Sequence, residues 1–192
     1  LGGEEIPRDE VIAALKKAVA AGSIVPLFVG SASLTFGMRA LLTKMVELFP
    51  AAADVPPPVD APLLGRVFKP TSEPHVGDVT LFRLYAGTLK NGADVWNAEH
   101  EVAEKLNHLS VQQGRERTEV GVLHAGDIGS VAKLRDTHTG DTFCLRDTPL
   151  RLSPIPFPEA VASAAVVVKQ RGEEDKLAAG LHKLHEEDPT FH

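Results

Sequence analysis

Val76-Gly77-Asp78-Val79-Thr80-Leu81-Phe82-Arg83-Leu84-Tyr85-Ala86-Gly87-Thr88-Leu89-Lys90-Asn91-Gly92-Ala93-Asp94-Val95 is the stretch on which the fold turns. Apolar and polar residues alternate through Val79–Ala86, the period of a strand with one face buried. A second apolar run follows Asn91-Gly92. Asn-Gly is the strongest short hairpin signal, because both residues tolerate the positive φ of a tight primed turn. The stretch therefore predicts two strands joined at Asn91-Gly92.

The same texture extends outward over residues 63–157. Short β-rich runs alternate with turn signals at Gly87, Asn91-Gly92, Gln113-Gly114, Gly126-Asp127 and Gly140-Asp141. Strands at such short, regular spacing predict a closed antiparallel β-barrel, since closure removes edges that would otherwise pair with other chains. About a hundred residues suffice for an independent core.

The flanks differ. Residues 1–50 read as an α/β piece. Pro7 opens a helix through Ala21, with Val11, Ile12, Leu15 and Val19 on one side and Gly22 as its stop. Ile24–Val29 is a continuous apolar run, as in a buried parallel strand. A second amphipathic helix carries Met38, Leu41, Leu42, Met45, Val46 and Phe49 and ends at Pro50. Residues 51–62 hold four prolines and little to bury, which predicts a linker. Residues 158–192 read as one valine-rich strand, Val161–Val168, and one helix, Glu173–Glu187, with Leu177, Leu181 and Leu184 on its apolar side. One strand and one helix cannot bury both apolar faces, so this part is expected to be the start of a truncated domain. The chain begins at Leu1 rather than Met and is expected to be a piece of a longer protein.

Bulk properties narrow the function. The net charge is −6 over 192 residues, with 11 basic and 12 acidic side chains in residues 61–157. No region is a basic sheath, so any nucleic-acid contact must be local. Cys144 is the single cysteine, which excludes an intrachain disulfide and predicts a reducing, cytoplasmic setting. No apolar run reaches the length of a membrane span, and no membrane partner is expected.

The quoted stretch resembles the second domain of translational GTPases, where a strand ends in a small residue and Gly before a hydrophobe, two polar residues and a Gly. Three further segments resemble the same family. Val25-Pro26-Leu27-Phe28-Val29-Gly30-Ser31-Ala32 resembles the last guanine-recognition motif of a G domain. Ala125-Gly126-Asp127-Ile128-Gly129 with Thr139-Gly140-Asp141-Thr142 resembles the closing strands of the second-domain barrel. Phe157-Pro158-Glu159, Gly172-Glu173-Glu174-Asp175-Lys176-Leu177 and Glu186-Glu187-Asp188-Pro189-Thr190-Phe191 resemble the start of the third domain of elongation factor G. The matches follow the family's order across nearly the whole chain.

The resemblance implies the C-terminal part of a G domain at 1–50, a linker at 51–62, a domain II barrel at 63–157 and the start of a ferredoxin-like domain III at 158–192. It implies a parent that binds GTP or GDP with magnesium, associates with the ribosome and its small-subunit RNA, and promotes movement of messenger and transfer RNA. The remaining partners it implies are the rest of the chain's own G domain and domains III–V. Ser31 and Ala32 would lie at the guanine in that parent, the Ala32 N–H donating to the base carbonyl. The barrel in such a factor is not catalytic and transmits the nucleotide state. Asp78, where a basic residue is expected, Ala160, where Pro is expected, and the loop Gln112-Gln113-Gly114-Arg115-Glu116-Arg117 depart from the housekeeping pattern. The loop looks more like that of the elongation factor G-like paralogs. A ribosomal protection protein shares the scaffold, and a stand-alone β-barrel binding module is the alternative from another class.

Arg115, Arg117, Lys133, Arg135 and His75 are the candidates for ribosomal RNA contact. With Glu116, Glu119 and Asp136 interleaved, a solvated face accounts for the same charges. His182 and His185 share a helix face with Asp188 beyond, but Leu181 and Leu184 define the buried side. His100, His108, His124 and His138 are scattered without ligand spacing, and no metal site is expected.

The chain contains no G-x-x-x-x-G-K-[ST], no Asp-x-x-Gly and no Asn-Lys-x-Asp. Phosphoryl transfer needs those parts together. The isolated chain is therefore expected to show neither GTP hydrolysis nor micromolar GTP affinity. A single base-edge hydrogen bond supplies only about 0.5–1.5 kcal/mol. Calorimetric titration with GTP tests this, and a micromolar Kd would refute it.

Overall fold

The computed structural model describes residues 6–73, 77–114, 116–168 and 172–191. The chain divides into two compact units, Leu1–Val55 and Pro56–His192.

The first unit holds two helices that touch each other, α1 (Arg8–Ala20) and α2 (Met38–Leu48). Pro7 precedes α1 with φ −58, a value preorganised for helix entry, and its carbonyl accepts from the N–H groups of Glu10 and Val11. Pro50 follows α2 closely. The expected strand at Ile24–Val29 does not form. Val25, Leu27 and Val29 are exposed, and no strand among the described residues pairs with this run. An apolar run becomes a strand only when a neighbour accepts and donates the ladder hydrogen bonds. The short 3-10 turn Ala52–Asp54 is the only regular element assigned in the described part of the proline-rich 51–62 segment.

The second unit is mainly β. Its strands are β1 (Leu64–Glu73), β2 (Gly77–Ala86), β3 (Thr88–Lys90), β4 (Ala93–Asn97), β5 (Val102–Leu106), β6 (Ser110–Gln113), β7 (Glu116–Glu119), β8 (Val122–His124), β9 (Ile128–Ala132) and β10 (Thr142–Cys144). Helix α3 (Glu174–Glu187) follows and rests against β1. Eight strands form one antiparallel sheet in the order β5-β4-β10-β1-β2-β9-β6-β7, and β3 and β8 form a separate pair. Along β2, Thr80, Phe82, Leu84 and Ala86 point inward, as the alternation predicts. Phe82 and Leu84 meet Val67, Leu106, Leu109, Leu123, Val131 and Phe143 in one core. The Phe82 and Phe143 rings pack edge to face, with centroids 5.5 Å apart.

Three expectations need correction. The expected closed barrel is not fully closed: among the described residues no ladder joins β5 to β7. The Asn91-Gly92 hairpin is absent. β3 pairs with β8, whereas β4 pairs with β5 and β10. Asn91-Gly92 is instead a corner that carries the chain from the small sheet into the large one. The Asn91 N–H donates to the Gly121 carbonyl, its Oδ1 accepts from the Leu109 N–H, and the Gly92 N–H donates to the Leu106 carbonyl. Long-range partners therefore prevail over the local turn. Val161–Val168 is also not a strand, because no described strand lies alongside it, and Val161 is fully exposed.

The Ala86-Gly87 strand ending has a steric cause. Gly87 has φ +82, and a Cβ there would sit 2.3 Å from the Pro62 carbonyl oxygen. The chain leaves β2 directly against the segment that enters β1.

Phe82→Ala should lower the unfolding free energy by about 3–5 kcal/mol, since it empties the centre of the barrel. Chemical denaturation followed by the fluorescence of Trp96 reads this out. A loss below about 1 kcal/mol would mean that the core does not centre on this ring.

Candidate functional site

The Ser31-Ala32 loop lies in the first unit. The Ser31 N–H donates to the Phe36 carbonyl at 3.0 Å, and the Thr35 N–H donates to the Ala32 carbonyl at 3.2 Å. The Leu34 N–H donates to the Ser31 hydroxyl at 3.4 Å. The loop thus closes on itself, leaves Ala32 exposed, and runs into α2.

The basic candidates divide. Arg117 on β7 and Lys133 after β9 line one depression together with Lys105, Asn107, His108 and Glu119. Lys105 is not among the sequence candidates and His108 reads only as a scattered histidine, because Lys105 belongs to a different strand and His108 to the corner after it. His108 Nδ1 lies 3.0 Å from Glu119 Oε1. His108 and Lys133 have φ of 57 and 62, and left-handed backbone at non-glycine residues concentrates at functional surfaces. Arg135 lies elsewhere, in a cleft against α3 with His138, His182 and Glu186. Arg115 and His75 lie outside the described residues.

A second constellation was not legible in the sequence. Glu104, on the edge strand β5, is buried. Its Oε1 accepts from the N–H groups of Arg135 and Asp136 at 3.0 and 2.9 Å and from the Thr137 hydroxyl at 3.2 Å. Asn97 and Asp141 are also buried, and the Asn97 amide donates to Asp141 Oδ2 at 2.8 Å. Asn97 Oδ1 accepts from the N–H groups of Glu99 and His100, while Asp141 Oδ2 accepts from the His138 N–H at 2.8 Å. The Glu99 carboxylate receives both the N–H and the hydroxyl of Thr142. These bonds hold the β4–β5 turn and the β9–β10 loop together.

The result brings His100, Asp136 and His138 side by side. His138 Nδ1 is 2.6 Å from Glu186 Oε2 on α3. Burial pulls the His138 imidazole toward its neutral form. The hydrogen bond and charge of Glu186, with Asp141 and Asp136, outweigh burial, and its pKa lies above the usual histidine value. Burial pushes the Cys144 thiol pKa up, and its S–H donates to the Trp96 carbonyl.

The sheet that carries these groups is antiparallel and eight-stranded, and one helix follows it in the chain. The model of elongation factor G domain 2 matches residues 62–146, and that of elongation factor G domain III matches residues 157–192. Together the two cover more than half of the chain, which belongs to the elongation factor G-like family. A crystal structure of a protein from Thermus thermophilus is similar, with TM-score 0.82 and 30% identity over 98% of the chain. The chain spans 28% of the length of that protein. No described helix is long and apolar enough to cross a membrane.

Glu104→Ala should cost about 1–3 kcal/mol, because it strips partners from two loop N–H groups in a buried setting. Hydrogen exchange at the Arg135 and Asp136 amides should accelerate at the same time. Unchanged exchange at both would show that another acceptor holds the loop.

Proposed function

We propose that the chain is the middle segment of a ribosome-associated translational GTPase. The observation that carries this reading is the order of the two domain matches, domain 2 over the barrel and domain III directly after it. In this reading the parent binds GTP or GDP with magnesium in its G domain, and Ser31-Ala32 contributes the guanine-facing edge. The barrel is the coupling element. It must make different contacts in the two nucleotide states to pass the state on to the small ribosomal subunit.

The depression formed by Lys105, His108, Arg117 and Lys133 is the best-supported RNA contact. Its basic side chains come from different strands and loops and converge although the region's net charge is close to zero. Phosphate binding of this kind is local, and long-range steering contributes little. The Gln112–Arg117 loop favours an elongation factor G-like paralog over the housekeeping factor.

Reversing the charge of Lys133 or Arg117 in the full-length protein should lower ribosome-stimulated GTP hydrolysis more than twofold, about 0.4 kcal/mol or greater. Reversing Arg135, which lines a different cleft, should do less. If Lys133 and Arg117 both leave the rate unchanged, this face is merely solvated.

A further inference from the structure

We infer that His100, Asp136 and His138 form a binding site for one divalent transition-metal ion of the zinc class. The donor atoms are His100 Nδ1, His138 Nε2 and Asp136 Oδ1. Asp136 Oδ1 lies 3.5 Å from the first nitrogen and 3.4 Å from the second. A tetrahedral ion with bonds of about 2.0–2.1 Å needs donor atoms about 3.3–3.4 Å apart. All three ligand atoms fall within 4.8 Å of one another. The two separations through Asp136 are those of a coordination sphere.

Outer partners support the same assignment. A metal-bound histidine normally gives its other ring nitrogen to a carboxylate, which fixes the tautomer and raises ligand basicity. His138 does so here, and the other ring nitrogen of His100 lies near a carboxylate at a longer distance. His138 Nδ1 faces Glu186 at 2.6 Å, and His100 Nε2 faces Asp141 at 3.4 Å. The backbone of each ligand is also tied down by a buried polar side chain. Asn97 holds His100, Asp141 holds His138, and Glu104 holds Asp136. An accidental surface cluster has no reason to be anchored at all three ligands.

Two imidazoles and one carboxylate suit zinc and its neighbours better than magnesium or calcium, which select oxygen ligands. Three protein ligands leave a position for water, and the half-exposed side chains give the ion a way in. Such an ion would clamp the β4–β5 turn to the β9–β10 loop. Through Glu186 it would also orient α3 against the barrel. This assignment does not depend on the proposed translational role.

The test uses the untagged 192-residue chain, stripped with chelator and titrated with Zn2+ alone by calorimetry and with Co2+ by visible absorption. One ion per chain, the visible bands of four-coordinate Co2+, and a higher melting temperature with Zn2+ are expected. His100→Ala and Asp136→Asn should each weaken binding by about 100-fold or more, and Glu186→Gln by about 10–100-fold. The double variant His182→Ala/His185→Ala should bind as the parent chain does. Far-ultraviolet circular dichroism of each variant confirms folding, and His138→Gln serves as a second ligand variant where one fails to fold. Absence of micromolar binding would overturn the assignment. So would binding that the folded ligand variants change by less than twofold, or binding abolished by the His182/His185 pair.

Discussion

One buried carboxylate solves the geometric problem that this barrel poses. The ladder of eight strands ends at β5, and an edge strand presents backbone groups that invite foreign pairing. Glu104 sits on that edge and points inward, where it accepts from two N–H groups and a hydroxyl of the β9–β10 loop. A charged group in a protein interior is costly unless it is hydrogen-bonded, and three donors meet that condition. The loop is thereby bound to the edge, and side-chain bonds take over where the ladder stops. The neighbouring Asn97–Asp141 pair extends the same arrangement to the β4–β5 turn.

This polar seam explains why α3 meets the barrel where it does. The β9–β10 loop, held in place by Glu104 and Asp141, offers His138 to Glu186. The loop therefore connects the segment matched to domain 2 with the segment matched to domain III.

The first unit and the 161–168 segment follow the opposite logic. Leu42, Val46, Leu27, Val29 and Val161 are apolar yet exposed. A strand or an amphipathic helix of this composition gains stability by covering such faces, at about 25 cal/mol per Å². The barrel shows the other outcome, since Val67, Phe82, Leu109 and Val131 are completely covered. The contrast separates a core closed by its own strands from segments whose apolar faces have no described partner.

The alternation Thr80, Phe82, Leu84, Ala86 and the spacing of Leu177, Leu181 and Leu184 were sufficient in the sequence to assign β2 and α3. Pro7, Gly22 and Pro50 likewise placed the ends of α1 and α2, because helix and strand periods and backbone stops are local properties. The choice of partners was not local. Asn91-Gly92 reads as a hairpin, but the N–H and carbonyl groups around it were claimed by Gly121, Leu106 and Leu109. Arg117 and Lys133 could be named from the sequence, but only the sheet order brings them to Lys105 and His108 and sends Arg135 elsewhere. His100 and His138 read as scattered because ligand-spacing rules see only neighbours in the chain. Strand pairing β4–β10 and the loop held by Glu104 bring them to one Asp136, a juxtaposition that exists only after long-range closure has been achieved.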